Sequence, residues 1–254
     1  MSLDEITPVI ITRDAAATIA VTLESLREFP RVTVYDNGSM DETLEICRRF
    51  PNARIEMGRF FGFGPTKNHA ADLADTDWVL SIDADEYLSD ELLATLRNVD
   101  LHDPNVAYRI ERYNLFMGKH VVHGGWGNDW LVRLYHRKVC RYNDVPVHEK
   151  VSVPDAARIE RLDGALWHQA VTDIDQFLKK ISYYSELRKN DGARTVAPAV
   201  IAIRACWAFF KSYVLQRGFT EGWRGLVIAN CNAQGTFFRH MKRYVARLQT
   251  PPEP

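Results

Sequence analysis

The sequence contains little cysteine and no long charge-free hydrophobic run. The first shortage excludes proteins built on disulfides or zinc knuckles, and the second argues against a segment that spans a bilayer. Its four cysteines (Cys47, Cys140, Cys206 and Cys231) lie far apart without a CxxC pair, which excludes a zinc knuckle or dense disulfide scaffold and fits a reducing cytosol. The N-terminal segment has acids where a secretory signal needs positive charge, so we expect no export. With 254 residues, 46% of them hydrophobic, the chain can bury the core of one large domain or of a domain with an appendage.

Strand and helix patterns alternate through the first hundred residues. Four runs are typical of buried strands: residues 6–12, 31–36, 53–58 and 77–83. Three segments between them have helical character: residues 16–29, 39–50 and 66–75. Ser39 and Glu42 have the spacing of a capping box, which predicts the start of the second helix. This alternation predicts an α/β fold with a mostly parallel sheet flanked by helices, and such sheets bind ligands at the carboxyl ends of their strands.

Three acids, Asp83, Asp85 and Glu86, directly follow the fourth predicted strand in "DWVLSIDADEYL". Carboxylates crowded at the end of a buried strand repel one another unless something neutralises them. Mg²⁺ or Mn²⁺ prefers oxygen ligands and shares its coordination shell with phosphate oxygens, so we predict a divalent cation at Asp83 and Asp85 that bridges to a diphosphate. The alternative is a solvated acidic turn before a helix whose N-cap is Ser89.

Asp36 ends the second predicted strand and begins the turn "DNGS". A carboxylate with exposed backbone groups suits the polar edge of a base or a ribose, so Asp36 is a candidate substrate-binding residue. An Asx turn that leads into a helix explains the same residues without a ligand.

Two basic residues are candidates for anion binding. Lys67, in "TKNHA", opens the third predicted helix and could pair with phosphate, although a solvated lysine fits equally well. Arg133 lies within the predicted strand "WLVRLYHR". If Arg133 faces inward, it needs an anionic partner, and Asp85, Glu149 or a bound diphosphate would serve.

Two histidines, His148 and His168, are candidates for the metal shell or for contact with a diphosphate. We assign His148 to substrate binding and His168 to the metal. The alternative for each is a packed, hydrogen-bonded histidine, and Trp167 beside His168 favours such packing.

The charge of the chain is strongly divided. Residues 194–247 carry nine Lys or Arg and one acid, Glu221, giving +8, and the remainder carries −9. The same segment holds nine aromatic residues, and its longest apolar charge-free stretch, 195–203, is shorter than the roughly 20 residues that span a bilayer. Aromatic rings with cations on helices are typical of segments that lie on anionic lipid. The alternative is a helical subdomain with an aromatic core and solvated charges.

The ordered segments "PVIIT", "YDNGSMDET", "GFGPTKNHA" and "DWVLSIDADE" resemble the family-2 glycosyltransferases, which have the GT-A fold. Four later segments, "GGWGNDWLVRLYHRK", "VPVHEKV", "LWH" and "FLKKISYYSEL", are similar to the subgroup that includes bacterial lipopolysaccharide-core glucosyltransferases. The resemblance covers nearly the whole chain. It implies a GT-A catalytic domain at residues 1–170 and a helical membrane-associating extension at 171–250.

The resemblance also implies a reaction. The expected activity is inverting transfer of a hexose, glucose by resemblance, from a UDP-sugar held near Asp36, with metal and diphosphate at Asp83 and Asp85. The expected acceptor is a lipid-linked saccharide, lipopolysaccharide core by resemblance. The protein would act in the cytoplasm, peripherally on the inner membrane surface, and we expect no nucleic-acid partner.

An inverting displacement needs a base that takes the proton of the acceptor hydroxyl. The candidates are Glu149, in "VHE" after a predicted strand pair, and Asp129, in the Gly-rich loop "GNDW"; Glu149 is favoured. The chain departs from the commonest family pattern with Arg13-Asp14 in place of Asn-Glu, and with Asn128 in place of the Glu before Asp129. The second departure leaves the base open.

Two other classes share part of the pattern. A haloacid-dehalogenase-type phosphatase also places Asp-x-Asp after an apolar strand, but it has Thr or Val where Tyr87 stands, and its first strand opens the domain. A noncatalytic membrane-docked binding protein would keep the basic segment and would not need the three acids.

Overall fold

The computed structural model describes residues 2–145, 149–187 and 195–249. It has two compact units, the first comprising Met1–Tyr113 with Asn128–Gln169 and the second Asn114–Gly127 with Ala170–Pro254. The division between Gln169 and Ala170 lies next to the domain boundary drawn from the sequence. The segment Asn114–Gly127, which the sequence assigned to the catalytic domain, groups with the second unit.

The strands alternate with short helices up to β4 and follow one another more directly after it. The strands are β1 Ile6–Thr12, β2 Val32–Asp36, β3 Ala53–Met57, β4 Trp78–Asp83, β5 Glu86–Leu88, β6 Val106–Phe116, β7 Lys119–His120, β8 Asp129–His136, β9 Arg141–Tyr142, β10 Val151–Ser152 and β11 Arg158–Val171. The helices are α1 Ser2–Glu5, α2 Ile19–Ser25, α3 Thr43–Cys47, α4 Phe63–Asp72, α5 Asp90–Leu96, α6 Ile174–Leu187, α7 Pro198–Phe210 and α8 Trp223–Gln249.

The four strands predicted in the first hundred residues are confirmed as β1 to β4, and the predicted N-cap Ser89 accepts a hydrogen bond from the Leu92 amide at 3.1 Å. The predicted capping box is wrong. The Glu42 side chain makes no capping bond, and the Ser39 hydroxyl donates to Asp36. Because Ser39 belongs to the turn after β2, the helix begins later, at Thr43.

The main sheet has the strand order β3-β2-β1-β4-β8-β6-β11-β5, with β7 beside β6. The pairs β2–β3, β1–β2 and β1–β4 are parallel, whereas β4–β8 and β6–β8 are antiparallel. The α/β class is therefore confirmed, and the sheet is mixed where a mostly parallel one was expected. The crossover helices that parallel pairing requires end after β4, so the later strands pair antiparallel.

Strand β8 contains a bulge at Arg133. Arg109 of β6 pairs with Val132, and the preceding Tyr108 pairs with Leu134, which leaves Arg133 as an extra residue in β8. A bulge redirects a side chain that regular alternation would turn to the other face. Arg133 is only 3% exposed, so its guanidinium points into the protein.

The first unit has a core on each face of the sheet. Alternate residues of β1 and β4 divide between the two cores, with Ile10 and Leu80 in the larger cluster and Val9 and Val79 in the smaller one. The smaller cluster also contains Tyr142 of β9 and residues of α4, and it underlies the candidate site.

The second unit is mainly helical. Its apolar cluster comprises Phe116, Val121, Val171 and Ile228. A π-helical turn at Lys211–Leu215 extends α7, and the stretch Pro198–Leu215 is long and apolar enough to cross a membrane by length and composition alone. Only 11% of that stretch is buried. The charge-free stretch 195–203 looked too short to span, but the apolar helix continues past Arg204 and Lys211.

Candidate active site

The carboxyl ends of β2 and β4 lie on either side of β1. Thr12 of β1 pairs with Asp36 of β2, and the neighbouring Ile11 pairs with Asp83 of β4. Parallel pairing on both sides of one central strand brings the two predicted acidic strand ends to the same edge of the sheet. The prediction that Asp36 and Asp83 lie at the same edge of the sheet is confirmed.

Lys67 connects two predicted site residues. Its ammonium lies 2.8 Å from Oδ1 of Asp83 and 3.0 Å from Oε1 of Glu149, and it is nearly fully buried. Helix α4 can approach the chain before Glu149 because Gly64 has no side chain, since a Cβ there would lie 1.9 Å from the Asn143 carbonyl oxygen. The helix end is thus placed so that Lys67 reaches both carboxylates.

Glu86 anchors the arginines of the site. Arg133 contacts Oδ2 of Asp83 at 2.8 Å and Oε1 of Glu86 at 2.5 Å, and the Asp83 amide donates to Oε2 of Glu86 at 3.0 Å. The guanidinium of Arg112 also contacts Glu86, at 3.2 Å, and donates two hydrogen bonds to Oδ2 of Asp129, at 2.7 and 2.9 Å. Glu86 is completely buried, so it serves these cations and not solvent.

The charged groups of the cluster keep one another ionised. Burial by itself raises the pKa of Asp83, but the charges of Arg133 and Lys67 outweigh burial and hold that pKa well below its ordinary value. Burial likewise opposes the charged forms of Lys67 and Arg133, and the neighbouring carboxylates, Asp83 foremost, nevertheless raise the pKa of both. These three groups are therefore ionised at neutral pH.

The protein itself supplies most of the positive charge that the acidic strand end needs. The divalent cation expected from the sequence stays a prediction, and Lys67, Arg112 and Arg133, which contact the acids directly, share the role that was given to it. These cations come from α4, β6 and β8, which are distant in sequence from the acids. Arg133 pairs with Asp83 and Glu86 and not with the expected Asp85 or Glu149, while a bound diphosphate as its partner stays a prediction.

Asp85 and His168 form a second pair. Oδ2 of Asp85 lies 3.4 Å from Nε2 of His168, and both side chains are partly exposed. Among residues 2–145, 149–187 and 195–249, no group of three His, Cys, Asp or Glu side chains is arranged to hold a metal. The pair fits a divalent cation whose remaining ligands are water and phosphate oxygens, because a carboxylate oxygen and an imidazole nitrogen are both suitable donors.

Asp36 and its neighbours form the other end of the edge. Oδ1 of Asp36 accepts hydrogen bonds from the amides of Gly38 and Ser39, at 2.8 and 2.9 Å, in a turn that Gly38 permits with its φ of +95°. The Asx turn that the sequence offered as the alternative explanation for Asp36 is thus present. Next to it, Thr12 Oγ1 and Asn37 Oδ1 are buried and have no hydrogen-bond partner in the described chain. Two unpaired buried polar atoms at a strand edge are typical of a ligand site.

A model of the family described as glycosyl transferase family 2 matches residues 7–142, more than half of the chain. The chain belongs to glycosyl transferase family 2. The matched segment contains Asp36, Lys67, Asp83 and Asp129, whereas Glu149 and His168 lie beyond it. Membership in this family excludes the phosphatase and the noncatalytic binding protein as the class of the chain.

Relatives of this family-2 chain extend over almost its full length. An uncharacterized glycosyltransferase of Rickettsia prowazekii is 28% identical, covering 94% of this chain and 86% of its own. The lipopolysaccharide core biosynthesis glycosyltransferase LpsC of Rhizobium meliloti is 24% identical, covering 91% of each. A crystal structure of S. aureus TarS with UDP-GlcNAc is 16% identical, with a TM-score of 0.46, covering 98% of this chain and 93% of that one.

The structure brings most of the predicted site residues of this glycosyltransferase together. Lys67, Asp83, Arg133 and Glu149 share one network, and Asp129 joins it through Arg112 and Glu86. His148 lies outside the described residues. Three further members were not predicted from the sequence: Glu86, Arg112 and Tyr142, whose hydroxyl lies 3.4 Å from Arg133. The one sequence signal for the burial of Glu86 is the apolar run at residues 78–82 that precedes it.

Proposed function

We propose that this family-2 glycosyltransferase is an inverting, metal-dependent enzyme that transfers a hexose, first of all glucose, from a UDP-sugar to a lipid-linked saccharide of the lipopolysaccharide core. One observation carries the proposal: Lys67 joins Asp83 to Glu149 at the carboxyl ends of the parallel strands. A donor-side carboxylate and a candidate acceptor-side base are thus neighbours in one partly buried network, joined by the buried Lys67.

The donor would lie along the edge from Asp36 to Asp83. The unpaired Thr12 Oγ1 and Asn37 Oδ1 supply polar atoms for the nucleoside beside Asp36. Lys67 and Arg133 supply charge for the diphosphate, and Arg133 Nε is buried without a hydrogen-bond partner in the described chain. A diphosphate that competes with Asp83 for these cations would gain charge-assisted hydrogen bonds.

A divalent cation fits the charge of the site. Five carboxylates (Asp83, Asp85, Glu86, Asp129 and Glu149) stand against three cations (Lys67, Arg112 and Arg133), which leaves a net charge of −2. Asp85 and His168 would hold Mg²⁺ or Mn²⁺, with Asp83 beside them. Such an ion, when bound, stabilises the negative charge that grows on the departing nucleotide.

Inversion requires a base on the face of the sugar opposite the nucleotide. Glu149 is our first candidate because its partner Lys67 also contacts Asp83, so the proton acceptor and the donor site are linked by one side chain. Asp129 remains the second candidate, held in position by Arg112. The base takes the proton of the acceptor hydroxyl as the hydroxyl oxygen bonds to the anomeric carbon and the nucleotide leaves.

The acceptor and the location are proposed from the second unit and from LpsC. Four exposed apolar side chains, Ile203, Trp207, Phe210 and Val214, follow helical spacing along α7 and its π-helical extension. Exposed rings with cations nearby suit a surface of anionic lipid. The name of LpsC suggests lipopolysaccharide core as the acceptor. The enzyme would thus work on the cytoplasmic face of the inner membrane.

A turnover assay tests the proposal. The protein is incubated with Mn²⁺, a panel of UDP-sugars and deacylated lipopolysaccharide core, and UDP release and the stereochemistry of the product are measured. We expect UDP-glucose to be consumed and the anomeric configuration to invert. Hydrolysis of phosphate monoesters without any sugar transfer, or transfer with retention, would contradict the proposal.

Two variants identify the base. Glu149→Gln should lower kcat by at least about 100-fold, the usual contribution of a general base, while UDP affinity is unchanged. Asp129→Asn, measured in parallel, is the comparison. If Glu149→Gln turns over normally and Asp129→Asn does not, the base is Asp129.

A further inference from the structure

Two arginines of the first unit lie over the ring of the same tryptophan. The guanidinium carbons of Arg109 on β6 and Arg161 on β11 lie 5.7 and 4.8 Å from the ring centre of Trp130 on β8. Across residues 2–145, 149–187 and 195–249, neither arginine forms an ion pair with a carboxylate. Nε of Arg109 is buried and has no hydrogen-bond partner there.

This arrangement differs from that of the neighbouring arginines. The other four on β6, β8, β9 and β11 each pair with a carboxylate: Arg112, Arg133, Arg141 and Arg158. Two like charges that converge on one ring without a counter-ion repel each other. A guanidinium held over a ring by cation–π attraction can still donate N–H groups to a carboxylate or phosphate. Within the part of the chain that the structure describes, the two cations thus lack an anionic partner.

Trp130 lies on the face of the sheet that also carries Lys67 and Tyr142. Residues two apart in a strand share a face, so Trp130 shares the face of Val132. Val132 packs against the smaller core cluster, which contains Tyr142, and the Lys67 ammonium lies over the Tyr142 ring at 5.1 Å. A ligand bound at Trp130 would therefore lie on the same face of the sheet as Lys67 and Tyr142.

We propose that Arg109, Trp130 and Arg161 form an acceptor subsite for an anionic sugar, one that carries a carboxylate or a phosphate. The anionic group binds the two guanidiniums, and the indole supplies an apolar surface for the sugar ring. This inference rests on the proposed function because it names the chemical class of the acceptor. It assigns these residues to binding only, not to the transfer step.

Binding of three labelled oligosaccharides of equal size tests the subsite: one neutral, one with a uronic acid and one with a phosphate monoester. We expect the full-length protein to prefer at least one anionic probe over the neutral probe by about 10-fold or more. Arg161→Gln should weaken binding of that probe about 10-fold, the loss expected for one charge-assisted contact. The affinity for the neutral probe should not change.

Arg158→Gln is the matched control, because Arg158 lies three residues earlier on β11 but pairs with Asp103. This variant should bind all probes like the wild type. Arg109→Gln should behave like Arg161→Gln, and its fold is checked by UDP binding because Arg109 is half-buried. Arg161 is exposed, so its variant decides the question if Arg109→Gln does not fold.

Three results would overturn the subsite: no preference for either anionic probe, an unchanged affinity in Arg161→Gln, or an equal loss for the neutral probe. The two anionic probes separate a carboxylate from a phosphate as the bound group. Failure of the proposed function is distinguishable, because it would appear as absence of UDP-sugar turnover by the wild type while the preference for anionic glycans persists.

Discussion

Asp83 is the residue at which the ion pairs of Lys67 and Arg133 meet. Both of its carboxylate oxygens meet buried cations, Lys67 on one side and Arg133 on the other. Removing one member of a buried ion network is costly because the remaining charges lose their compensation. The donor-binding role proposed for this residue and the stability of the fold are therefore linked.

The pH dependence of stability tests that link. Asp83→Asn should lower the free energy of unfolding by about 3 kcal/mol at pH 7. The pKa of Asp83 is well below the value near 4 of an unfolded aspartate, because the charges of Arg133 and Lys67 outweigh burial. The ionised carboxylate thus stabilises the native state fully above about pH 4 and loses this effect as pH falls towards its lowered pKa. The difference between wild type and variant, measured by urea denaturation, should shrink below about pH 4.

Asp72→Asn is the control for this measurement, because Asp72 also pairs with an arginine, Arg141, but its side chain is 53% exposed. Its loss should be less than about 1 kcal/mol. A loss for Asp83→Asn as small as that of the control would show that the network does not stabilise the fold.

At the scale of elements, the sequence predicted what local patterns encode. Strands β1 to β4 and the convergence of Asp36 and Asp83 followed from apolar runs and from strand–helix alternation. The positions of Arg112 and Arg133 did not, because they depend on the pairing of β6 with β8 and on the bulge. Register between strands and the placement of a bulge are set by tertiary packing, which no short window of sequence contains.

Helix α7 carries the element-scale prediction. Trp207 and Phe210 are 56% and 44% exposed, so replacing both with serine should leave the fold intact and reduce binding to phosphatidylglycerol-containing vesicles by at least about 10-fold. Co-sedimentation measures the bound fraction. Ile159→Ser is the control, since Ile159 is similarly exposed but lies on β11 of the first unit. Equal sedimentation of the double variant and the wild type would contradict membrane binding through this face.

At the scale of the whole molecule, the chain combines a family-2 catalytic unit with a basic, aromatic helical unit. The basic character of the C-terminal part is visible in the sequence, with +8 in residues 194–247, whereas the boundary at residue 170 was drawn from the family resemblance. The sequence did not show that Asn114–Gly127 belongs to the second unit, because that segment lies far from residue 170 in the chain. Charge composition reports an average over a segment and not its tertiary partners.

Donor binding to the whole protein gives the last prediction. UDP with Mn²⁺ should raise the melting temperature of the wild type, because a ligand at 100 times its Kd stabilises the native state by about 2.7 kcal/mol. In Asp85→Asn the increase should fall to the value measured with UDP and EDTA. Asp163→Asn, an exposed acid on the same strand as His168, should retain the full increase. An unchanged response to Mn²⁺ in Asp85→Asn would remove Asp85 from the metal site.

The bulge in β8 sets a limit on redesign of this enzyme. Without the extra residue, Val132 and Leu134 would follow each other in an uninterrupted ladder, and the strand would be more regular. That idealised strand would have no arginine between Asp83 and Glu86, and the buried Glu86 and the partly buried Asp83 would have one cation fewer. A more regular sheet would therefore remove a cation from the proposed donor site, and the irregular strand is the form worth conserving.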